Sequence, residues 1–201
     1  MIPTVYIIDD DKYARESLEW LVDSVHLPVK AFEGGQQFLN FYKKGLPGCA
    51  VIDVRMPDIN GIDLHLKLKE LGAILPVIIM TGHADVPMAV RAMKAGVYDF
   101  IEKPYNDTLM LQRIQSAMNY DSDKRQKQIR VDEVNKHLNT LTPREREVLD
   151  YVLHSTPNKI IASELNISIK TVELHRGNLM SKMQTKSVTE LVRLALIAGL
   201  E

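Results

Sequence analysis

The sequence predicts an α/β domain on a doubly wound five-stranded parallel sheet, followed by an all-α unit of four helices. Three observations carry this. Over residues 1–120 short apolar runs alternate about five times with helix-like segments; the runs VYII, AVIDV and PVIIM lack two-residue polar alternation, Asp53 being the one charged residue among them; and beyond residue 138 no strand-like run occurs. Strands apolar at every position suit a parallel sheet covered by helices on both faces, whereas a half-wetted sheet would alternate polar and apolar residues.

Taken in order, the strands are TVYII, PVKAF, CAVIDV, PVIIMT and YDFIE. The helices between and after them are YARESLEWLVDSV, QQFLNFYKK, LHLKLKEL, VPMAVRAMKAG and DTLMLQRIQSAM. Residues 121–138 are charged, contain neither Gly nor Pro, and read as a helical linker extending the last of these helices. Within 139–201, the segments LTPREREVLDYVL, NKIIASEL, IKTVELHRGNLMSKM and SVTELVRLALIAG have helical periodicity. Thr142, Pro143 and Glu145 form a capping-box signature for the first of the four. Ser168 and Ser187 are candidate N-caps, and Gly199 is a candidate stop.

Composition is that of an ordinary globular protein, with 201 residues, 45% hydrophobic, 25% charged, and a formal net charge of -1. Residues 1–120 hold 12 Lys and Arg against 15 Asp and Glu, and residues 141–201 hold 8 against 7. A nucleic-acid face, if present, must therefore come from the placement of particular residues and not from bulk charge. The single cysteine, Cys49, excludes a disulfide framework within the chain and a Cys-rich zinc site. No apolar run approaches the roughly 18 to 20 residues of a membrane span, and the start lacks a signal-peptide pattern. A cytoplasmic protein without a membrane partner is expected.

Chemistry concentrates where strands end. Asp9, Asp10 and Asp11 follow the first strand, Asp53 ends the third, Thr81 the fourth, and Lys103–Pro104 follows the fifth. In a doubly wound sheet these positions converge on the carboxyl rim, where ligands bind. Clustered carboxylates without thiolate or paired imidazole make a hard oxygen site suited to Mg²⁺. Lys103 adds positive charge, Thr81 can donate to a phosphoryl oxygen, and Asp53 is the carboxylate left to attack. Phosphoryl transfer needs little more than an in-line nucleophile and charge compensation. Each feature alone also suits an ordinary turn or cap; their coincidence at successive strand ends favours the chemical reading.

The motifs IIDDD, VIDVRMPDINGIDL, PVIIMTGHAD and DFIEKP resemble the four signatures of the CheY-like receiver family across the first 120 residues. The resemblance implies Asp53 as phosphoacceptor and an acidic pocket of Asp9 and Asp10. It further implies Mg²⁺ held by Asp10, Asp53 and the Arg55 carbonyl, a Thr81–Phe100 switch pair, and a cis Lys103–Pro104 bond. It also implies a sensor histidine kinase or small acyl phosphate as donor and a dimerisation face over 87–95, 97–101 and 107–117. Arg55 and His83 flank the phosphoacceptor and are expected to tune water access.

In NKIIASELNISIKTVELHRGNLMSKM, two helices meet at a tight turn near Asn166–Ser168, with Ile160, Ile161, Leu165, Ile167, Val172, Leu179 and Met183 turned inward. The second helix then exposes its N-terminal turns, as entry into a major groove requires. Together with LTPREREVLDYVL and VTELVRLAL this resembles the LuxR-type helix-turn-helix domain. One departure is HSTPNK, where a glycine usually precedes the polar turn, which leaves that loop's geometry open. The resemblance implies promoter DNA as partner, with Asn158, Lys159, Ser168, Lys170, Thr171, Glu173, Leu174, His175, Arg176, Asn178 and Lys182 at or beside it. The order of receiver, linker and LuxR-type domain resembles the FixJ/NarL class of response regulators. For such a protein a phosphorylation-dependent homodimer and contact with RNA polymerase are expected, and turnover beyond self-catalysed phosphotransfer and slow autodephosphorylation is not. Two alternatives stand beside it: a haloacid-dehalogenase-type phosphohydrolase using Asp9, although Tyr13 stands where that family has Thr or Val, and a protein-interaction module that never meets DNA.

Overall fold

The computed structural model describes residues 1–82 and 86–200, so His83 lies outside the described residues. The chain divides into two compact units, Met1–Lys124 and Arg125–Glu201.

The first unit is a five-stranded parallel sheet in the order β2-β1-β3-β4-β5, with β1 Thr4–Ile8, β2 Val29–Phe32, β3 Gly48–Asp53, β4 Val77–Thr81 and β5 Asp99–Glu102. The three runs without polar alternation are the three interior strands. Alternate residues serve opposite faces. Tyr6, Ile8, Ala50, Ile52, Val77 and Ile79 pack on one side with Phe38, Leu64, Leu68 and Ala92, from α2 Gly35–Phe41, α3 Gly61–Glu70 and α4 Val86–Ala95. Val5, Ile7, Cys49, Val51, Ile78 and Met80 pack on the other with Leu18 and Val22 of α1 Lys12–Asp23 and Met110, Ile114 and Ala117 of α5 Asp107–Leu138. Cys49 is fully buried, and burial pushes its thiol well above the usual range, so it is a packing residue. Helix α2 ends at Phe41, earlier than the expected QQFLNFYKK, because Tyr42 turns into extended backbone.

Glycine is required at two places. Gly48, at φ +124, sits where a Cβ would lie 1.9 Å from the Thr4 carbonyl oxygen, so the β1–β3 pairing starts only with glycine there. At Gly61 a Cβ would lie 2.3 Å from the carbonyl oxygen of Asp53. Gly61 thereby lets the chain pass close behind the end of β3.

The second unit gathers the end of α5 (Val134, Leu138) with α6 Pro143–Leu153, α7 Asn158–Glu164, α8 Ile169–Lys182 and α9 Val188–Ile197 around Val148, Leu149, Ile161, Val172, Leu179, Met183 and Leu191. The Thr142 capping box is complete, Ser168 and Ser187 cap α8 and α9, and Gly199 follows α9 at φ +78. One inward expectation is corrected. Ile160 is 49% exposed, because the seven-residue α7 buries Ile161 and Ala162, and its neighbour one position earlier is rotated away from that face. The HSTPNK loop keeps the geometry a glycine would have provided: Ser155 adopts φ +56 while Thr156 N–H donates to the Tyr151 carbonyl to close α6.

Candidate functional site

The order β2-β1-β3 reverses direction between β1 and β3, and the crevice at such a reversal lies beyond the carboxyl ends of those strands. Asp9 follows β1 there and Asp53 ends β3. The three consecutive aspartates have separate tasks. Asp11 is the N-cap of α1, accepting from the N–H groups of Tyr13 and Ala14. Asp10 is exposed, and Asp9 is buried.

Lys103 joins the two buried carboxylates. Its Nζ lies 2.7 Å from Asp9 Oδ2 and 2.6 Å from Asp53 Oδ1. Asp9 Oδ1 accepts from Asp11 N–H at 2.9 Å and Asp53 Oδ2 from Arg55 N–H at 2.6 Å. One ammonium therefore serves two carboxylates. Burial, aided by the negative charge of Asp53, outweighs Lys103 at Asp9 and holds that carboxyl above its usual range. Lys103 itself loses hydration by burial, yet its two acidic partners more than offset this and raise its pKa. The two shifts agree once the charges are counted: the pocket is short of positive charge.

Lys103 reaches the pocket because its N–H donates to the Thr81 carbonyl at 2.7 Å, and the Lys103–Pro104 peptide bond is cis. Thr81 is fully buried at the end of β4, on the strand that pairs with β3 through Asp53 and Met80. Phe100 is half-buried on β5 and packs against the α2–α3–α4 side of the sheet. Two supporting residues escaped the sequence reading. Arg15 donates to the carbonyls of Asp9 at 2.7 Å and Asp10 at 3.4 Å, bracing the loop, and nothing in its spacing on α1 announces this. Gly61 stands in an Asn-Gly pair, a recognisable turn signal, but its closeness to Asp53 is a tertiary fact.

In the second unit, Ser168 Oγ accepts from Thr171 N–H at 3.1 Å and lies 2.8 Å from the Thr171 hydroxyl, fixing the first turn of α8. Lys170, Glu173, Leu174 and Asn178 are exposed on α8, and Lys159 is exposed on α7. Thr171, His175 and Arg176 are half-buried, and Arg176 donates to Asn158 at 3.0 Å, tying α8 to α7. Lys182 is not open in the same way, since its ammonium is 2.6 Å from Glu145 Oε2. No helix among the described residues is long and apolar enough to cross a membrane.

Comparison with known proteins bears on the fold and the family. Residues 5–115 match the response regulator receiver domain family, and residues 139–195 match the luxR family of bacterial regulatory proteins. The transcriptional regulatory protein FixJ of Bradyrhizobium diazoefficiens is 42% identical over 98% of this chain and 96% of its own length. The response regulator protein TodT of Pseudomonas putida is 42% identical over 94% of this chain and 83% of its own. Among solved structures, the response regulator StyR aligns over 98% of this chain and 99% of its own with a TM-score of 0.88 at 36% identity. Full-length FixJ aligns over 98% and 97% with a TM-score of 0.61 at 42% identity. The phosphohydrolase alternative falls away, and the chain belongs to the two-component response regulators of the FixJ type, transcriptional regulators with a receiver domain followed by a LuxR-type DNA-binding domain.

Proposed function

We propose that Asp53 is the phosphoacceptor and that its phosphorylation by a sensor histidine kinase, or a small acyl phosphate, controls promoter binding by the second unit. The observation that carries this is the Lys103 ammonium shared between Asp9 and Asp53 at the carboxyl rim of the sheet. A carboxylate oxygen of Asp53 attacks phosphorus in line, the bond from phosphorus to the donor nitrogen or acyl oxygen breaks, and the donor leaves with its electron pair. Lys103 compensates charge on the phosphoryl group, and the Thr81 hydroxyl donates to one of its oxygens. The added charge of about -1.5 to -2 draws Thr81 and Lys103 toward it. Phe100 then fills space on the sheet face behind Thr81.

Mg²⁺ fits the donor set. Among the described residues no three of His, Cys, Asp or Glu already converge as a metal site, but two buried carboxylates with one ammonium leave negative charge uncompensated, and Asp10 stands exposed beside them. Asp9, Asp10, Asp53 and the Arg55 carbonyl would hold the ion, all oxygen donors. Bound there, it supplies further charge compensation for the phosphoryl oxygens. No turnover beyond self-catalysed phosphotransfer and slow autodephosphorylation is proposed.

The division is 1–120 receiver, 121–138 linker and 139–201 DNA-binding domain, in a cytoplasmic protein without a membrane partner. Val86, Val90, Met93 and Leu109 are large apolar residues left exposed on α4 and α5, which supports a phosphorylation-dependent homodimer through α4, β5 and α5. DNA-bound dimers place two α8 helices in successive major grooves and present the protein to RNA polymerase. Lys159 and Lys170 suit phosphates, while Glu173, Leu174 and Asn178 suit base edges.

The test is beryllofluoride or acetyl phosphate treatment of wild type and Asp53→Ala, followed by sizing and DNA-binding assays. Wild type dimerises and binds; a variant that responds equally overturns Asp53 as the switch.

A further inference from the structure

Resemblance places Lys182 beside the DNA, but its partner in the structure is a protein carboxylate. Lys182 is the last residue of α8, and its Nζ lies 2.6 Å from Glu145 Oε2 near the start of α6. The Glu145 side chain is 4% exposed, and the same Oε2 accepts from Thr142 N–H at 2.8 Å as part of the capping box. Beside this pair, Val148 and Leu149 of α6 and Leu179 and Met183 at the end of α8 share one core. Moving the ammonium to a phosphate would leave a buried carboxylate with only backbone and hydroxyl partners, which is strongly unfavourable. Lys170, by contrast, is exposed at the opposite end of α8, and no hydrogen bond or ion pair within the described residues engages it.

We propose that Lys182 serves DNA recognition without touching DNA: paired with Glu145, it is a positioning residue that holds the recognition helix α8 against α6. This rests on the reading of 139–201 as the DNA-binding unit. The charge of Lys182 is withdrawn from the phosphate-facing set, and its value to binding passes through the pose of α8.

The probe is a duplex enriched from a random-sequence pool by beryllofluoride-treated wild-type protein, titrated across a range of KCl concentrations. Lys170→Gln lowers the slope of log affinity against log salt by about 0.9, as loss of one phosphate contact does. Lys182→Gln keeps the wild-type slope but weakens binding about tenfold, within the range for one lost base contact. Glu145→Gln does the same, the double variant is no worse than either single, and Lys182→Arg restores binding. A slope reduced by about 0.9 in Lys182→Gln, with Glu145→Gln binding as wild type, overturns the proposal. Should the glutamine variants unfold, amine labelling of the wild type decides. Lys182 then reacts slowly with and without duplex while duplex protects Lys170, and protection of Lys182 by the duplex overturns the proposal. Failure of wild type to enrich any duplex instead overturns the DNA-binding reading itself, and the proposal with it.

Discussion

Asp9→Asn should stabilise the receiver while impairing its chemistry. Asp9 is 1% exposed and Asp53 7%, and the two share one ammonium, so one negative charge in the pocket lacks full compensation. Burial, the largest influence, and Asp53 both favour the neutral Asp9 carboxyl and together outweigh Lys103. An amide at this position removes the charge but keeps only one oxygen, which accepts from Asp11 N–H or from Lys103, and turns its NH₂ toward the other donor, so part of the gain from neutralisation is lost. Replacing a whole buried ion pair by hydrophobic residues of similar volume is often neutral or stabilising by about 1–4 kcal/mol, and removing one partner is costly only because it strands the other charge; here Lys103 keeps Asp53, no charge is stranded, and the gain falls at the lower end, about 1 kcal/mol. For a unit of this size that corresponds to about 4 °C in Tm. The assay is thermal unfolding of the full-length protein at pH 7.5 in EDTA, with hydrogen exchange of receiver peptides assigning the gain to that unit. Addition of MgCl₂ should then raise wild-type Tm more than that of the variant, and acetyl phosphate should label the variant more slowly. A variant less stable than wild type in EDTA would refute the charge count.

Four other outcomes follow from the same structure. Gly61→Ala sets a methyl 2.3 Å from the Asp53 carbonyl oxygen, so urea titration should show a loss of about 1–3 kcal/mol, with slower labelling of Asp53 by acetyl phosphate. Ser155→Gly relieves a left-handed backbone at φ +56, a cost of about 1–2 kcal/mol that glycine's greater freedom when unfolded partly cancels; a gain of about 0.5–1 kcal/mol in hydrogen exchange of the α6 and α7 peptides is expected, and a loss would contradict it. Burial alone would raise the Glu145 carboxyl, but Lys182 and Thr142 more than offset it and hold it below its ordinary value of 4.5. Its stabilisation is therefore fully present above pH 4.5 and lost as pH falls through the folded value, and Glu145→Gln should flatten the acid limb of the second unit's stability curve. His65 works in the same pH direction in the first unit. Burial lowers its pKa below 6.5, so its neutral form supports the fold above pH 6.5, stability declines as pH falls below that, and His65→Gln should remove the decline.

Much of this was legible in the sequence because it depends on local or periodic features. Three runs without polar alternation named the interior strands, and Thr142, Ser168 and Ser187 announced helix starts through chemistry that acts within a few residues. The acidic site was also legible, because parallel strands in a doubly wound sheet bring their carboxyl ends to one rim whatever their separation in sequence. By itself the sequence determined the fold class, the family's two-part organisation and which polar residues stand at the strand ends. Only the tertiary structure decided how charge is shared. It tied Lys103 to Asp9 and Asp53 at once, braced the acidic loop with Arg15, left Ile160 in solvent and gave Lys182 to Glu145. The physical reason is that periodicity specifies which face of an element is apolar, whereas a salt bridge depends on which distant side chain packing brings within about 3 Å, and no local pattern encodes that distance.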